Sequence, residues 1–256
     1  METEKSNIDK QYDVAMKKFR SSNLSTRIAS FDELRQLAEK RSDDSKKMIF
    51  NTLCDYLRDI CNKSYAKSKM PAKEYQTLLD VLFKSSGISI FGKFKAELHK
   101  VRLTRTDLEG AHFKNANLSN ARFSLANLSN TNLLHANLSG AILLETNLSK
   151  ADLLHANLSD AKLLEANLWE ANLSGANLSG ANLSDTILSD ADFSDAILQG
   201  AQLQGANLME IRSIERANFC GAKIGDRAIM KKDLPPQYEK VEYYAEWNPP
   251  PKKEED

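Results

Sequence analysis

The chain has 256 residues, enough for one or two domains, and its 35 Lys and Arg residues balance 35 Asp and Glu residues. A formal net charge of zero argues against a general nucleic-acid-binding or polybasic membrane-binding protein. Residues 1–10 are polar and charged, and no stretch approaches the roughly 18 apolar residues of a membrane-spanning helix. We therefore expect a cytoplasmic protein that spans no membrane and binds no nucleic acid directly.

The three cysteines follow no spacing typical of metal ligands. Cys54 and Cys61 are seven residues apart, which places them on one face of a helix. We interpret them as small core residues of a protein in a reducing compartment, and we expect neither a metal nor a cofactor.

Residues 1–95 are predicted to form a small α-helical domain, because apolar residues recur there at helical spacing in four segments. Ser25 or Thr26 is suited to cap the second helix, and Pro71 suits the first turn of the fourth. The stretch from Ser85 to Gly92 holds two glycines and no helical period, so the junction with the next domain is placed there. The residues assigned to the helical core are Ile8, Tyr12, Ala15, Met16, Phe19, Ile28, Phe31, Leu34, Leu37, Ala38, Met48, Leu53, Tyr56, Leu57, Ile60, Cys61, Tyr75, Leu78, Leu79, Leu82 and Phe83.

From about residue 101 to residue 225 a period of five residues runs almost unbroken. Leu or Phe occupies every fifth position from Leu103 to Leu208, and a small residue, mostly Ala or Thr, lies two positions before it. This period matches neither a helix nor a strand, so the chain must turn every five residues. One large and one small side chain pointing inward per repeat would let it turn a corner each time.

Four such faces close a square coil of 20 residues, and the sequence supports that number. The segment Leu133–Ser139 recurs residue for residue as Leu153–Ser159, at an offset of 20. Coils are expected to stack at the spacing of a β-sheet, with backbone groups of one coil pairing with the next. Leucines then fill the interior and leave no channel.

The motif Ala-(Asn/Asp)-Leu-x-x resembles the pentapeptide-repeat family over about half of the chain. The resemblance implies a mainly β fold over residues 96–225, a right-handed quadrilateral β-helix of about six coils preceded by the small α-helical domain. The helical segment from Ser25 to Arg58 also resembles one that precedes the repeats in some bacterial members. The helices are expected to cap the N-terminal end of this rod.

The repeat pattern breaks before its C-terminal end. Ser213 replaces the central Leu, Ile211 replaces the small residue, and the phase slips by one residue before it resumes at Ala217. The inserted residue predicts a bulge or small loop, from repeat decay near a capped end or for contact with a partner. Residues 226–256 are predicted to form a C-terminal capping segment, with a short strand or helix within 231–244, and a disordered tail.

Residues 20 apart form columns on the outside of the coils, and two columns are acidic. From residue 151 to residue 210 there are nine acidic residues and one basic residue. A solvated surface is the simpler interpretation. The family resemblance implies an alternative function, because some members imitate DNA and so inhibit DNA gyrase and protect it from quinolones: a DNA-mimic inhibitor or protector of gyrase or another topoisomerase. The columns are Glu145, Glu165 and Asp185, and Glu170, Asp190 and Glu210.

A second group of outward positions is apolar and supplies candidate partner-binding residues, because exposed apolar groups mark contact sites. The alternative is that the helices fold back over one of these faces. The stacked asparagines are expected to hydrogen-bond from coil to coil, and His135 and His155 share a column but lack a third metal ligand. The candidate residues are Leu134, Leu144, Leu154, Leu164 and Trp169.

The sequence contains no Gly-rich phosphate loop, no His-Glu-x-x-His, no nucleophile elbow and no Cys-x-x-Cys. We therefore predict a protein that is not an enzyme. The function favoured by the sequence is a protein–protein interaction module that presents the outer faces of a rigid rod to an unidentified protein. Pairing of two copies through an uncapped end of the rod is an open alternative.

Overall fold

The computed structural model describes residues 2–64, 72–84, 90–224 and 242–243. Four α-helices come first: α1 (Glu2–Phe19), α2 (Leu24–Glu39), α3 (Asp43–Ser64) and α4 (Ala72–Phe83). A β-helix built from single β-bridges between coils follows, and it ends in a 3₁₀ helix (Ile214–Arg216) and strand β1 (Lys223–Ile224). Strand β1 pairs in parallel with β2 (Glu242–Tyr243). The predicted fold, a right-handed quadrilateral β-helix preceded by helices, is confirmed.

The helical domain packs its apolar faces around one core, in which Phe31, Leu53 and Leu78 are fully buried. Met48, which was predicted to belong to this core, is instead 49% exposed. The next two residues of α3, Ile49 and Phe50, are buried in its place, since only one stripe of a helix can face the core.

A buried charge also holds the helices together. The Glu74 carboxylate is buried, and it accepts hydrogen bonds from the Arg27 guanidinium (2.8 Å) and the Tyr56 hydroxyl (2.7 Å). A buried carboxylate is stable only with such partners. Burial and the hydrogen bond to Glu74 raise the pKa of Tyr56 to about 12, so its hydroxyl stays a donor at neutral pH.

The start of α2 differs from the prediction. Its N-cap is Asn23, whose Oδ1 accepts a hydrogen bond from the Thr26 amide at 3.0 Å, while Ser25 and Thr26 lie inside the first turn. All three residue types cap helices well, so the sequence could not choose among them. Pro71 and residues 85–89 of the predicted junction lie outside the described residues.

Each coil of the β-helix takes 20 residues, with one bridge per repeat: Asn117 pairs with Asn137, and Asn137 with Asn157. Between bridges the chain turns, and the Ala121 amide donates to the Leu118 carbonyl at 3.0 Å. The large and small inward side chains from 101 to 208 are nearly all fully buried, so the interior is filled. The same arrangement repeats in almost every turn.

The last residue of each repeat adopts a backbone conformation that the sequence analysis did not foresee. It is the second central residue of the turn and has a positive φ, for example 56° at Asn120 and 57° at Glu165. A positive φ at this position is what a type II turn requires, and it favours Gly or Asn. A larger L-residue is strained there by about 1–2 kcal/mol.

The asparagine that precedes each buried Leu bonds mainly to its own turn. Asn137 Oδ1, for example, accepts the Ser139 amide at 3.1 Å, which forms an Asx turn. Some coil-to-coil amide bonds occur as well, such as Asn157 Nδ2 to Asn137 Oδ1 at 3.4 Å. The predicted ladder therefore exists, but the stronger role of these side chains is to stabilise corners.

Helices α3 and α4 cover the N-terminal end of the β-helix. The first coil has no coil before it, so its backbone groups would otherwise form an open sheet edge. The side-chain amide of Gln76 replaces a missing strand: it donates to the Asp107 carbonyl (2.6 Å) and accepts the Asp107 amide (3.3 Å). The helices thus lie over the end of the rod and not along the faces of its middle coils. Contacts on the four faces are Arg58 with Glu97, Tyr75 with Arg102, Gln76 with Asp107, and Phe83 with His112.

The register changes near the C-terminal end. Asp192 pairs with Arg212 at the usual offset, whereas Ile197 pairs with Asn218, one residue later. The extra residue is accommodated at Ser213, with a φ of 56°, and in the 3₁₀ helix, where Ile214 packs against the core near the position of the missing Leu. Strand β2 then extends the ladder beyond β1 on one face.

Candidate functional site

The β-helix has four faces, each a stack of repeats 20 residues apart, and four corners, each the stack of turns that ends a face. The first face contains residues 161–165 and the second face contains residues 166–170, with the third and fourth following in chain order. The first corner, which ends the first face, therefore holds Glu165, and the second corner holds Glu170. Backbone pairing between coils fixes the spacing of outward side chains.

The first corner carries the predicted acidic column of Glu145, Glu165 and Asp185. Their turns stack directly, since the Glu145 amide donates to the Leu164 carbonyl and the Glu165 amide to the Ser184 carbonyl, both at 3.0 Å. Within the described part of the chain, no side chain pairs with these three carboxylates. At the coil spacing of about 4.8 Å they repel one another, and together they attract cations.

The second corner carries Glu170, Asp190 and Glu210, but its charge is partly balanced. Lys150 Nζ lies 3.6 Å from a Glu170 carboxylate oxygen, and the Arg212 guanidinium donates to the Asp190 backbone carbonyl at 3.2 Å. The two predicted columns are therefore unequal, and the uncompensated one is at the first corner.

Trp169 lies against the second corner and is 37% exposed. Lys150 Nζ is 4.7 Å from the centroid of its ring, and the indole N–H donates to Asp190 Oδ2 at 3.2 Å. These two contacts hold the ring in place on the surface. An aromatic side chain that is ordered before binding is typical of interface anchors, because little entropy is lost on contact.

The four candidate leucines do not form one patch with Trp169. Leu144 and Leu164 lie at the first corner, Leu134 and Leu154 at the third, and all four are half-buried. The first and third corners are diagonally opposite, so one small partner cannot contact both. Of the five predicted apolar site residues, Trp169 has the most accessible side chain.

Three exposed apolar residues of the β-helix were not predicted as site residues: Leu125 (42%), Ile187 (43%) and Ile197 (39%). Each departs from the repeat pattern, and that signal could have found them. Ile187 and Ile197 replace the turn-stabilising Asn, and Leu125 occupies a positive-φ corner position. Ile187 is on the second face, one coil beyond Trp169, and Ile197 is on the fourth face, opposite.

The histidines and cysteines considered in the sequence analysis have structural contacts. The rings of His135 and His155 stack at the third corner, with centroids 5.2 Å apart and planes 7° from parallel. No group of three or more possible metal ligands occurs in the residues that the structure describes. Burial raises the pKa of the Cys61 thiol to about 12 and also raises that of Cys54, so neither is a thiolate nucleophile at neutral pH. Among the described helices none is long and apolar enough to cross a membrane.

A family model for pentapeptide repeats matches the chain in eight copies, over residues 96–133, 131–169, 143–180, 151–190 and 176–211. No curated protein matches the chain significantly.

Several solved structures are similar to the chain. HetL, a pentapeptide repeat protein involved in heterocyst differentiation regulation in the cyanobacterium Nostoc sp. strain PCC 7120, is 32% identical, with 57% of this chain and 69% of HetL covered and a TM-score of 0.30. The pentapeptide repeat protein alr5209 from Nostoc PCC 7120 is 34% identical, with 38% and 84% covered and a TM-score of 0.30. A trypsin-treated variant of QnrB1, a plasmid-mediated fluoroquinolone resistance protein, is 17% identical, with 60% and 86% covered and a TM-score of 0.35.

Proposed function

Because the chain belongs to the pentapeptide-repeat family, we propose that it acts as a non-enzymatic protein–protein interaction module in the cytoplasm. The outer faces of the β-helix are its binding surface. The helical domain closes the N-terminal end of the rod and keeps that end from pairing with other chains.

The filled interior supports this proposal. Leu158 and Ala161 are as buried as the core of any globular protein, and their equivalents repeat along the rod. Binding sites for small molecules are concave and partly empty, whereas here the chemistry available to a partner is carried by outward side chains. A rigid ladder also presents those side chains at fixed spacing, which lowers the entropic cost of association.

The observation that carries the proposal is Trp169. A large aromatic ring remains accessible although a soluble protein gains nothing in stability from exposing it. Lys150 and Asp190 hold it in one orientation. Tryptophan is the residue most enriched among the side chains that dominate protein–protein binding energies.

Site-specific photo-crosslinking in cells tests the proposal. A photoreactive residue is placed at Ser189 on the second face, at Ser179 on the fourth face, or at Lys40 in the helical domain. We expect a discrete protein adduct from Ser189, which shares the second face with Trp169, and not from Ser179 on the opposite face, and we expect Trp169→Ala to abolish it. Adducts from Lys40 alone would show that the helical domain is the binding module and would contradict the proposal.

One observation favours a second candidate, the DNA mimic directed at a topoisomerase. Glu145, Glu165 and Asp185 form an uncompensated acidic column, as mimicry requires. The test is inhibition of DNA gyrase supercoiling by the native chain and by a triple variant with Gln, Gln and Asn at these positions. Inhibition by the native chain alone would put mimicry first, whereas no inhibition at micromolar concentration would exclude it for gyrase.

A further inference from the structure

The second face is the place where exposed apolar side chains lie between two acidic corners. In the coil from Asp185 to Asp190, Thr186 and Leu188 point into the core, and Ile187 faces solvent in the middle of the face. Both ends of this short stretch are carboxylates, one at the first corner and one at the second. Trp169 lies one coil earlier on the same face.

Large residues at positive φ are more numerous at these two corners than at the other two. The fourth corner holds only Asn, Asp and Gly from Asn120 onward, which are the residues that tolerate a positive φ. The first and second corners instead hold larger residues at φ values of 53–62°, at a cost in stability. Strain of this kind is typical of positions kept for function. The large residues at positive φ are Arg105, Leu125, Glu145 and Glu165 at the first corner and Lys150, Glu170 and Glu210 at the second, compared with His135 and His155 at the third.

We propose that the second face binds a segment of a partner protein in which an aliphatic residue is flanked on both sides by Arg or Lys. This inference rests on the proposed function and specifies its surface and its partner. The aliphatic side chain packs on Ile187 and the Trp169 ring. The flanking cations reach the carboxylates of Asp185 at the first corner and Asp190 at the second.

Charge complementarity selects this occupant over an acidic or neutral one. Residues 151–210 hold nine acidic residues and one basic residue. Beside a neutral apolar segment, the Asp185 carboxylate would keep no cationic partner among the described residues, and that of Asp190 would keep only the hydrogen bond from the Trp169 indole. Arg and Lys side chains also have apolar stems that cover the ring of an aromatic residue while their charge reaches the rim.

The fourth face supplies a matched control. Ile197 there is exposed to a similar extent as Ile187 and replaces the same Asn of the repeat. Its neighbouring corners differ, because Asp195 is ion-paired with Arg216 and Gly200 carries no charge. An apolar contact without acidic edges is therefore available on the same rod.

Trp169 fluorescence measures occupancy of the second face once Trp247→Phe makes it the single tryptophan. The probes are three labelled synthetic peptides, each with three repeats of Arg-Leu-Arg, Arg-Ser-Arg or Glu-Leu-Glu, whose binding is also followed by anisotropy. We expect the Arg-Leu-Arg peptide to change Trp169 emission and to bind about tenfold more tightly than Arg-Ser-Arg. Ile187→Ser should weaken it about tenfold, and Ile197→Ser should not.

Other outcomes overturn the inference. Equal affinity for Arg-Leu-Arg and Arg-Ser-Arg would show that only charge drives binding and that the aliphatic side chain contributes nothing. Equal losses of affinity in Ile187→Ser and Ile197→Ser would show that the peptide does not bind specifically to the second face. Failure of all three peptides to alter Trp169 emission would refute the assigned partner chemistry. If crosslinks from Ser189 persisted in that case, the proposed interaction function would still stand.

Discussion

Gly175→Ala should lower the free energy of unfolding for two separate reasons, one in the backbone and one in a neighbouring side chain. Gly175 has a φ of +62°, and a Cβ added there would lie 2.2 Å from His155 Nδ1. The strained φ costs about 1–2 kcal/mol, and the reduced entropy of the unfolded chain returns about 0.4–1 kcal/mol. The His155 ring must also move, which disrupts its stack on His135 and costs about 0.5–1.5 kcal/mol more.

Gly200→Ala is the matched control, because Gly200 has a φ of +69° and open space around its Cβ position. It should carry the backbone cost alone. Urea unfolding followed by circular dichroism gives both free energies, and we expect Gly175→Ala to be the more costly by about 0.5–1.5 kcal/mol.

A double-mutant cycle completes the test, since in a His155→Ala background the difference between the two glycine substitutions should disappear. Equal costs of Gly175→Ala and Gly200→Ala in the native background would refute the reasoning that the corner side chain lies over the next coil's glycine.

Four further substitutions test other parts of the structure. Leu158→Lys buries an unpaired charge in mid-rod and should abolish cooperative unfolding, so a normal urea transition would contradict the filled interior. Gln76→Ala leaves the Asp107 backbone unpaired at the capped edge and should cost about 1–2 kcal/mol in the same assay. Glu165→Asn places a residue that tolerates positive φ at a crowded acidic corner, so the free energy of unfolding should rise by about 0.5–1 kcal/mol; a decrease would argue against corner strain. Although burial alone would raise the pKa of Asp107, its hydrogen bonds to Lys84 and the Glu109 amide hold that pKa below the ordinary value. Stability from this depressed carboxyl is present above the unfolded pKa of about 3.9 and is lost as pH falls below it, so Asp107→Asn should reduce the acid sensitivity of the unfolding midpoint.

The sequence predicts the β-helix well because its period is a direct consequence of geometry. A five-residue repeat with one large and one small inward residue admits few backbones, and the repeated segment at Leu133 and Leu153 sets the coil at 20 residues. The columns follow from that number alone, so Glu145, Glu165 and Asp185 lie together at one corner as expected.

The sequence could not predict the features that depend on side-chain conformations or on the rotation and packing of the helices. The partial neutralisation of the second column arises because Lys150 precedes Glu170 by one coil, and the Lys150 ammonium group also lies over the Trp169 ring. The choice of Asn23 as a cap and the exposure of Met48 depend on a rotation of each helix by a fraction of a turn. Local periodicity does not resolve such a rotation.

Although the net charge is zero, basic and acidic residues are concentrated in different parts of the chain. Residues 1–95 contain 19 basic and 13 acidic residues, whereas residues 151–210 contain one basic and nine acidic residues. Because the helices lie over the first coil, the coil of Glu165 is about three coil spacings, or about 14 Å, from that end. This exceeds the screening length of about 10 Å at 0.1 M salt. A partner that approaches the second face therefore meets an acidic surface whose field the basic helices do not cancel, and it is this local field, not the total charge, that selects a cationic segment.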